Sequence, residues 1–446
     1  MNDNNLEYTQ IEFEPASCFD QAGRIFYHQE RVFRGILKEH TPLVREILNH
    51  PRCEAFFNKG LIPTRVSDVT LDGYEVVLEH QKVPFVSYCM EWSPVMLKDA
   101  ALMICDLSYE LALAGFTLKD AHPWNVLFNK CKPVFVDIGS IIRIDQAKSW
   151  PYKEFKQHIL FPLWLFYKGY QKIAYQMLKE HPTGTGKAII ENKILSLLPI
   201  KYTRLVTRYL EKKRANHQQA LIDFLGQIRT YISNLNLIEK KGAWSNYEQK
   251  NVNLADPEKL PSKAVSVLEF LKNLDKGTLL DMACNRGEYS YLAAELGFKV
   301  IAFDNEASLI SDMYLKNKTE DKDILPLKMD FLWPTSCYGL GLSMPTSFER
   351  FKCDTTLVLA LVHHLVFKQK VNFEVIARII DRYAGKNAIV EFIPHDDFYV
   401  SKWMTEKHGW YTLENFIRAM KVYFNKFTVV DSSPPPRKII LFQKSE

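Results

Sequence analysis

A chain of 446 residues, 47% hydrophobic and 24% charged, is too long for one core to keep growing and too apolar to stay disordered, so two folded domains are expected. The polar amino terminus MNDNNLEYTQ has no signal-peptide core, and the most apolar run, Ile159 to Tyr167, is short and broken by Pro162. Export and membrane insertion are therefore not expected, and a cytoplasmic protein is. The net charge of +5 sits almost wholly ahead of residue 250, and the eight cysteines form no C-x-x-C pair, which points to free thiols rather than disulfides or structural zinc.

In chain order, the runs Gly23 to Phe33, Tyr74 to Leu78 and Pro84 to Tyr88 read as short strands. They precede a helix from Val95 to Ala114, where apolar residues recur at helical spacing. That helix leads into Lys119-Asp120-Ala121-His122-Pro123-Trp124-Asn125 and then Val136-Asp137-Ile138-Gly139, the spacing of a phosphotransferase catalytic hairpin. In such a hairpin Asp120 would position an acceptor hydroxyl, while Asn125 and Asp137 would hold magnesium against nucleotide phosphates. Further upstream, Asp20 to Arg24 is a candidate covering turn, Arg34 stands where a phosphate-contacting lysine is expected, Glu46 is its candidate helix partner, and Glu91 falls in a hinge-like stretch. A turn with one glycine and an arginine in the lysine position both depart from active protein kinases.

Lys201, Arg204, Arg208, Lys212, Lys213 and Arg214 fall on one side of a predicted helix. A solvated helix face is the simpler reading of that stripe, and nucleic acid is not the expected partner. The most polar connection, Asn234 to Leu260, separates two strongly patterned regions. The boundary is placed near Trp244, giving domains 1–245 and 246–446.

Beyond it, candidate strands and helices alternate: Gly277 to Met282, Tyr289 to Leu296, Lys299 to Phe303, Ala307 to Asn317, Thr355 to Leu361, Glu374 to Tyr383 and Ala388 to Phe392. This alternation predicts a parallel, doubly wound α/β sheet, with ligands at the carboxyl ends of its strands. The first strand runs into Ala283-Cys284-Asn285-Arg286-Gly287, a tight turn without G-x-G-x-x-G spacing. Lys299 to Phe303 ends in Asp304-Asn305, about twenty residues after Asp281, where a carboxylate can accept from both ribose hydroxyls. Asp330 can take an adenine amine and Phe331 can cover the ring, which disfavours an NAD-dependent oxidoreductase.

The series LLDMACNRGEYS, VIAFD, KMDF and LVLALVHHL resembles the ordered motifs of class I S-adenosylmethionine-dependent methyltransferases. More narrowly, WP at Trp333-Pro334, FERFKCD, VEFIPHDD and a closing aromatic segment resemble bacterial, nodulation-protein-like methyltransferases that carry a kinase-like amino-terminal region. The resemblance implies a Rossmann-type methyltransferase domain preceded by an α+β protein-kinase-like domain, with S-adenosylmethionine as cofactor and Mg-ATP as a second ligand if the first site is active. It places Asp281, Ala283, Asn285 and Gly287 at the methionine moiety and loop, Asp304 and Asn305 at the ribose, and Asp330 and Phe331 at the adenine.

His363 and His364 follow the fourth strand at the rim, where an imidazole could take an acceptor proton, with His364 preferred and Glu391 next. His395, Asp396 and Asp397 form a polar loop to which no metal is assigned. The expected reaction is methyl transfer to an oxygen or nitrogen nucleophile of a small molecule or glycan. A bifunctional kinase-methyltransferase and a non-catalytic nucleotide-sensing scaffold, whose amino-terminal half would be a pseudokinase, are the alternatives.

Overall fold

The computed structural model describes residues 4–179, 200–237, 239, 242 and 260–445. They fall into two units, Met1–Glu239 with Cys337–Met344, and Lys240–Ser336 with Pro345–Glu446. The boundary expected near Trp244 lies outside the described residues.

In the first unit, a five-stranded antiparallel sheet forms from β1 (Glu12–Phe13), β2 (Gly23–His28), β3 (Arg31–Ile36), β4 (Thr64–Val66) and β5 (Val76–His80), in the order β1-β2-β3-β5-β4. Phe26 and Phe33 stack across the β2–β3 pair with centroids 5.4 Å apart and are fully buried. Gly35 lets the Tyr74 ring lie flat on β3, since a Cβ there would come within 2.5 Å of Tyr74 Cγ. Tyr74 thus stays outside the strand expected from it to Leu78, which begins at Val76 instead.

The strand expected over 84–88 does not form: Pro84 has no N–H to give a ladder, and the Tyr88 N–H donates to the Glu91 carboxylate at 2.7 Å. Glu91 is fully buried in that turn. Helix α1 (Thr41–Asn49) follows β3, and α2 (Pro94–Leu113) runs through the core with residues such as Leu97, Ile104 and Leu111 fully buried. Two antiparallel pairs come next, β6 (Phe116–Leu118) with β9 (Ile141–Arg143) and β7 (Val126–Asn129) with β8 (Lys132–Phe135). Among the described residues the helices that follow include α3 (Phe161–Tyr167), α4 (Ile200–Lys212) and α5 (His217–Ser233).

Among the described residues the second unit has α6 (Ser262–Lys272) and then alternates β10 (Thr278–Met282), α7 (Glu288–Glu295), β11 (Lys299–Asp304), α8 (Ala307–Glu320), β12 (Ile324–Lys328), β13 (Cys353–Val358), α9 (Val362–Phe367), α10 (Phe373–Tyr383) and β14 (Ala384–Phe392). After α11 (Leu413–Met420) it ends in the hairpin β15 (Lys426–Asp431) and β16 (Lys438–Gln443). The sheet order is β12-β11-β10-β13-β14-β16-β15; the first five are parallel, and β16 runs antiparallel to both its neighbours. Apolar runs such as Leu279-Leu280 and Ile389-Val390 are buried because helices cover both faces. The order reverses between β10 and β13, and that is where an open α/β sheet leaves a crevice at its carboxyl edge.

Candidate functional site

The loop after β10 follows an unusual path. Ala283 and Asn285 hold φ of 59° and 53°, and Gly287 holds 80°. Side chains in the left-handed region cost roughly 1–2 kcal/mol each, so the surrounding bonds must fix this turn. Those bonds are present: the Asn285 N–H donates to Asp304 Oδ2 at 3.0 Å, the Cys284 N–H to the Phe303 carbonyl at 3.0 Å, and the Glu306 N–H to Asp304 Oδ1 at 2.9 Å. Asp304, at the end of β11, therefore ties two loops together while each of its oxygens keeps a further lone pair. Burial raises the Asp304 carboxyl above the usual carboxylate range.

Asp281, buried at the end of β10, accepts from Ser290 Oγ at 2.6 Å, and burial pushes its carboxyl up to about 7. The side-chain Oδ1 of Asn285 is buried with no hydrogen-bond partner, an acceptor that ordinarily finds one. Gly287 enters α7, and a Cβ on it would come within 2.4 Å of Met313 Cε.

The Met329 N–H donates to the Asp304 carbonyl at 2.9 Å, which sets Asp330 beside the end of β11. One Asp330 oxygen accepts from the N–H groups of Leu332 and Trp333, and Phe331 is buried next to it. Asn305 is exposed.

Across the crevice, Glu391 at the end of β14 is fully buried. Its Oε2 accepts from Lys263 Nζ at 2.5 Å and from the Ala360 N–H at 2.8 Å, while Oε1 has no partner. Ala360, after β13, also sits at positive φ, 53°. His363 and His364 follow with ring centroids 4.0 Å apart, and Trp403 stacks on His363 at 5.9 Å. Burial is the main cause that pushes His363 down to about 2 and His364 down to about 4, so both imidazoles are neutral near pH 7. Asp397 is bound up in its own loop, accepting from Tyr399 N–H and pairing with Arg437 at 3.0 Å. Lys263 and Trp403 carry no signal in the sequence that marks them as neighbours of the motifs, and Ser290 and Ala360 lie inside the motifs without having been singled out.

In the first unit, Asp120, Asn125 and Asp137 are all partly exposed around the β7–β8 hairpin. Asn125 Nδ2 lies 3.5 Å from Asp137 Oδ2. Arg34, buried in β3, pairs with Asp137 at 3.0 Å and also with Asp20 of the candidate covering turn. Gly139 makes room for this bridge, since a Cβ on it would come within 2.8 Å of Arg34 Nη1. The expected Arg34–Glu46 pair is not the one formed: Glu46 pairs with Arg143 of β9, and Arg34 is taken by the two aspartates. Glu154, which the sequence reading missed, accepts from the Ala121 N–H at 2.7 Å beside Asp120, and burial pushes it up to about 7. Among the described residues no group of three or more His, Cys, Asp or Glu side chains is arranged to hold a metal ion.

Strand order, the reversal at β10 and β13, and the antiparallel end together give the second unit a Rossmann-like α/β fold. No family pattern matches the chain. The chain is similar to the nodulation protein NoeA of Rhizobium meliloti (strain 1021), 26% identical over 458 residues that span 96% of this chain and 95% of that protein. Among solved structures, the magnesium protoporphyrin IX methyltransferase of Synechocystis PCC 6803 with bound SAH is 15% identical, with a TM-score of 0.32, 45% of this chain and 90% of that one covered. The bifunctional kinase-methyltransferase WbdD is 14% identical, with a TM-score of 0.29, 41% of this chain and 38% of that one covered. Among the described residues no helix is long and apolar enough to cross a membrane.

Proposed function

We propose that the second unit binds S-adenosylmethionine along the carboxyl ends of β10, β11 and β12 and transfers its methyl group to an oxygen or nitrogen nucleophile. The observation that carries this reading is the Asp304–Asn285 tie, which holds a strained loop open around a buried, unpartnered Asn285 oxygen. The lone pairs left on Asp304 suit two vicinal hydroxyls, Asp281 suits an ammonium, and Asp330 beside Phe331 suits an adenine edge and face. When bound, the cofactor supplies a methyl group on a sulfonium leaving group, so alignment contributes most of the acceleration. His364 is the preferred proton acceptor, because His363 is the more deeply buried and the weaker base, and Glu391 is already held by Lys263. A saccharide or glycan acceptor remains a reading by analogy.

For the first unit we favour a kinase-like accessory domain in which Arg34 neutralises Asp137, the residue that would hold magnesium. The ion pair at 3.0 Å supports this over active phosphotransfer. Calorimetric titration of the full chain tests both readings. S-adenosylhomocysteine should bind and Asp304→Ala should weaken it at least tenfold, while Mg-ATP should bind weakly or not at all. Absence of S-adenosylhomocysteine binding by the folded chain overturns the methyltransferase reading. Tight Mg-ATP binding abolished by Asp137→Ala would instead favour the bifunctional enzyme.

A further inference from the structure

Three residues of the basic stripe read in the sequence, Lys201, Arg204 and Arg208, line a groove in the first unit, while Lys213 and Arg214 lie past the end of α4. Helices α3, α4 and α5 flank an open groove of about 810 Å³, walled by Trp164, Tyr167 and Lys168 from α3 and the residue after it, by Lys201, Arg204 and Arg208 from α4, and by Tyr231 from α5. This volume falls in the range of small-molecule sites. No carboxylate lines it among the described residues.

The charges on α4 sort by position. Lys212, near the helix end, pairs with Asp223 at 3.2 Å, whereas Lys201, Arg204 and Arg208 form no ion pair with any described residue. Three like charges at successive i, i+3 and i+4 positions repel one another by a few tenths of a kcal/mol per pair. Glu211, one turn beyond Arg208, is the acidic side chain on this face, and it lies outside the groove lining. The Lys168 ammonium lies over the Trp164 and Tyr167 rings, 5.8 and 5.1 Å from their centroids, adding a fourth cation to the same wall. Gly226 stands on the opposite wall, where a Cβ would meet nothing within 4 Å, so the groove is open at its floor.

We propose that this groove binds a small ligand carrying two or more phosphate groups, with the guanidinium groups of Arg204 and Arg208 and the ammonium groups of Lys201 and Lys168 as its donors. Guanidinium forks suit phosphate oxygens, and a concave wall with partly exposed Tyr167 and Tyr231 rings gives a sugar ring a face to lie against. The proposal stands independently of the methyltransferase reading, since every residue in it belongs to the first unit.

Titration calorimetry on the full chain at about 0.15 M salt, where surface charges are screened beyond roughly 8 Å, is the test. The probes are inorganic tripolyphosphate and glucose 1,6-bisphosphate. Both should bind, and Arg204→Gln with Arg208→Gln should weaken both at least tenfold. Gly226→Leu should do the same with every charge retained; leucine is the better helix former, so the fold is kept. Tighter binding of the bisphosphate than of inorganic pyrophosphate would place the sugar ring against the tyrosines, and equal binding would assign the site to phosphate alone. No heat with either probe overturns the proposal, as does binding that survives Gly226→Leu. An oligothymidylate that binds more tightly than tripolyphosphate and is indifferent to Gly226→Leu would overturn it in favour of a nucleic-acid track.

Discussion

Replacing Lys263 by methionine removes the cation bonded to Glu391, a side chain with 0% exposure, and leaves its carboxylate, among the described residues, with the Ala360 N–H. Breaking a buried pair from one side costs about 3–5 kcal/mol, because the remaining charge stays desolvated. Glu391→Gln should cost less, about 1–2 kcal/mol, because the Lys263 side chain is 15% exposed and can turn to water while glutamine still accepts from Ala360. The double variant removes both charges and should be more stable than Lys263→Met alone, with a coupling of about 2 kcal/mol or more. Urea denaturation of the full chain gives the free energies, and hydrogen exchange across β14 assigns the transition to the second unit. A cost below about 1 kcal/mol for Lys263→Met, the value of an exposed pair, would refute this account, as would strict additivity in the cycle.

Burial holds Asp281 up to about 7, so the native state keeps a proton that the unfolded chain gives up near pH 4. Its contribution to stability is therefore complete below about pH 4 and is lost as pH rises through about 7; Asp281→Asn should flatten the fall in melting temperature across that window, with Glu154 unchanged as the internal reference. Ala283→Val places a β-branched side chain at φ 59° and should destabilise the second unit by roughly 2 kcal/mol in denaturant titration, whereas Ala283→Gly should be close to neutral as strain relief and chain entropy offset each other. Arg34→Ala leaves Asp20 and Asp137 as adjacent unpaired carboxylates and should cost the first unit roughly 3 kcal/mol, an effect that Asp137→Asn in the same chain should partly reverse.

Four of the five parallel strands in the second sheet were legible because each is a compact apolar run next to a helix-period segment. β12 was missed: ILPLK is short and carries Pro326, whose lack of an N–H argues against a strand, yet it lies at the sheet edge, where such a residue is tolerated. The closing hairpin was read only as an aromatic segment, because β15 is mostly exposed and shows no alternation. In the site, Asp281, Asn285, Gly287 and Asp304 are brought together because they sit at strand ends, a position the alternation predicts. Lys263 could not be read, since it comes from α6, 128 residues from Glu391, and nothing local marks their encounter. The same holds in the first unit: Arg34 stood out by its place, but the pairing with Asp20 and Asp137 depends on two loops folding over β3, and this sent Glu46 to Arg143 instead.

The position of β16 bears on how the second unit is made. Although it is the last strand of the sheet in sequence, it is not at an edge but is hydrogen-bonded between β14 and β15. During synthesis the parallel strands can emerge and collapse, yet β14 presents an open ladder of N–H and C=O groups until residues 438–443 clear the ribosome. Until then the nascent chain carries a long, apolar, pairing-competent strand uncovered. That makes this interval the one in which a chaperone would matter most to its yield.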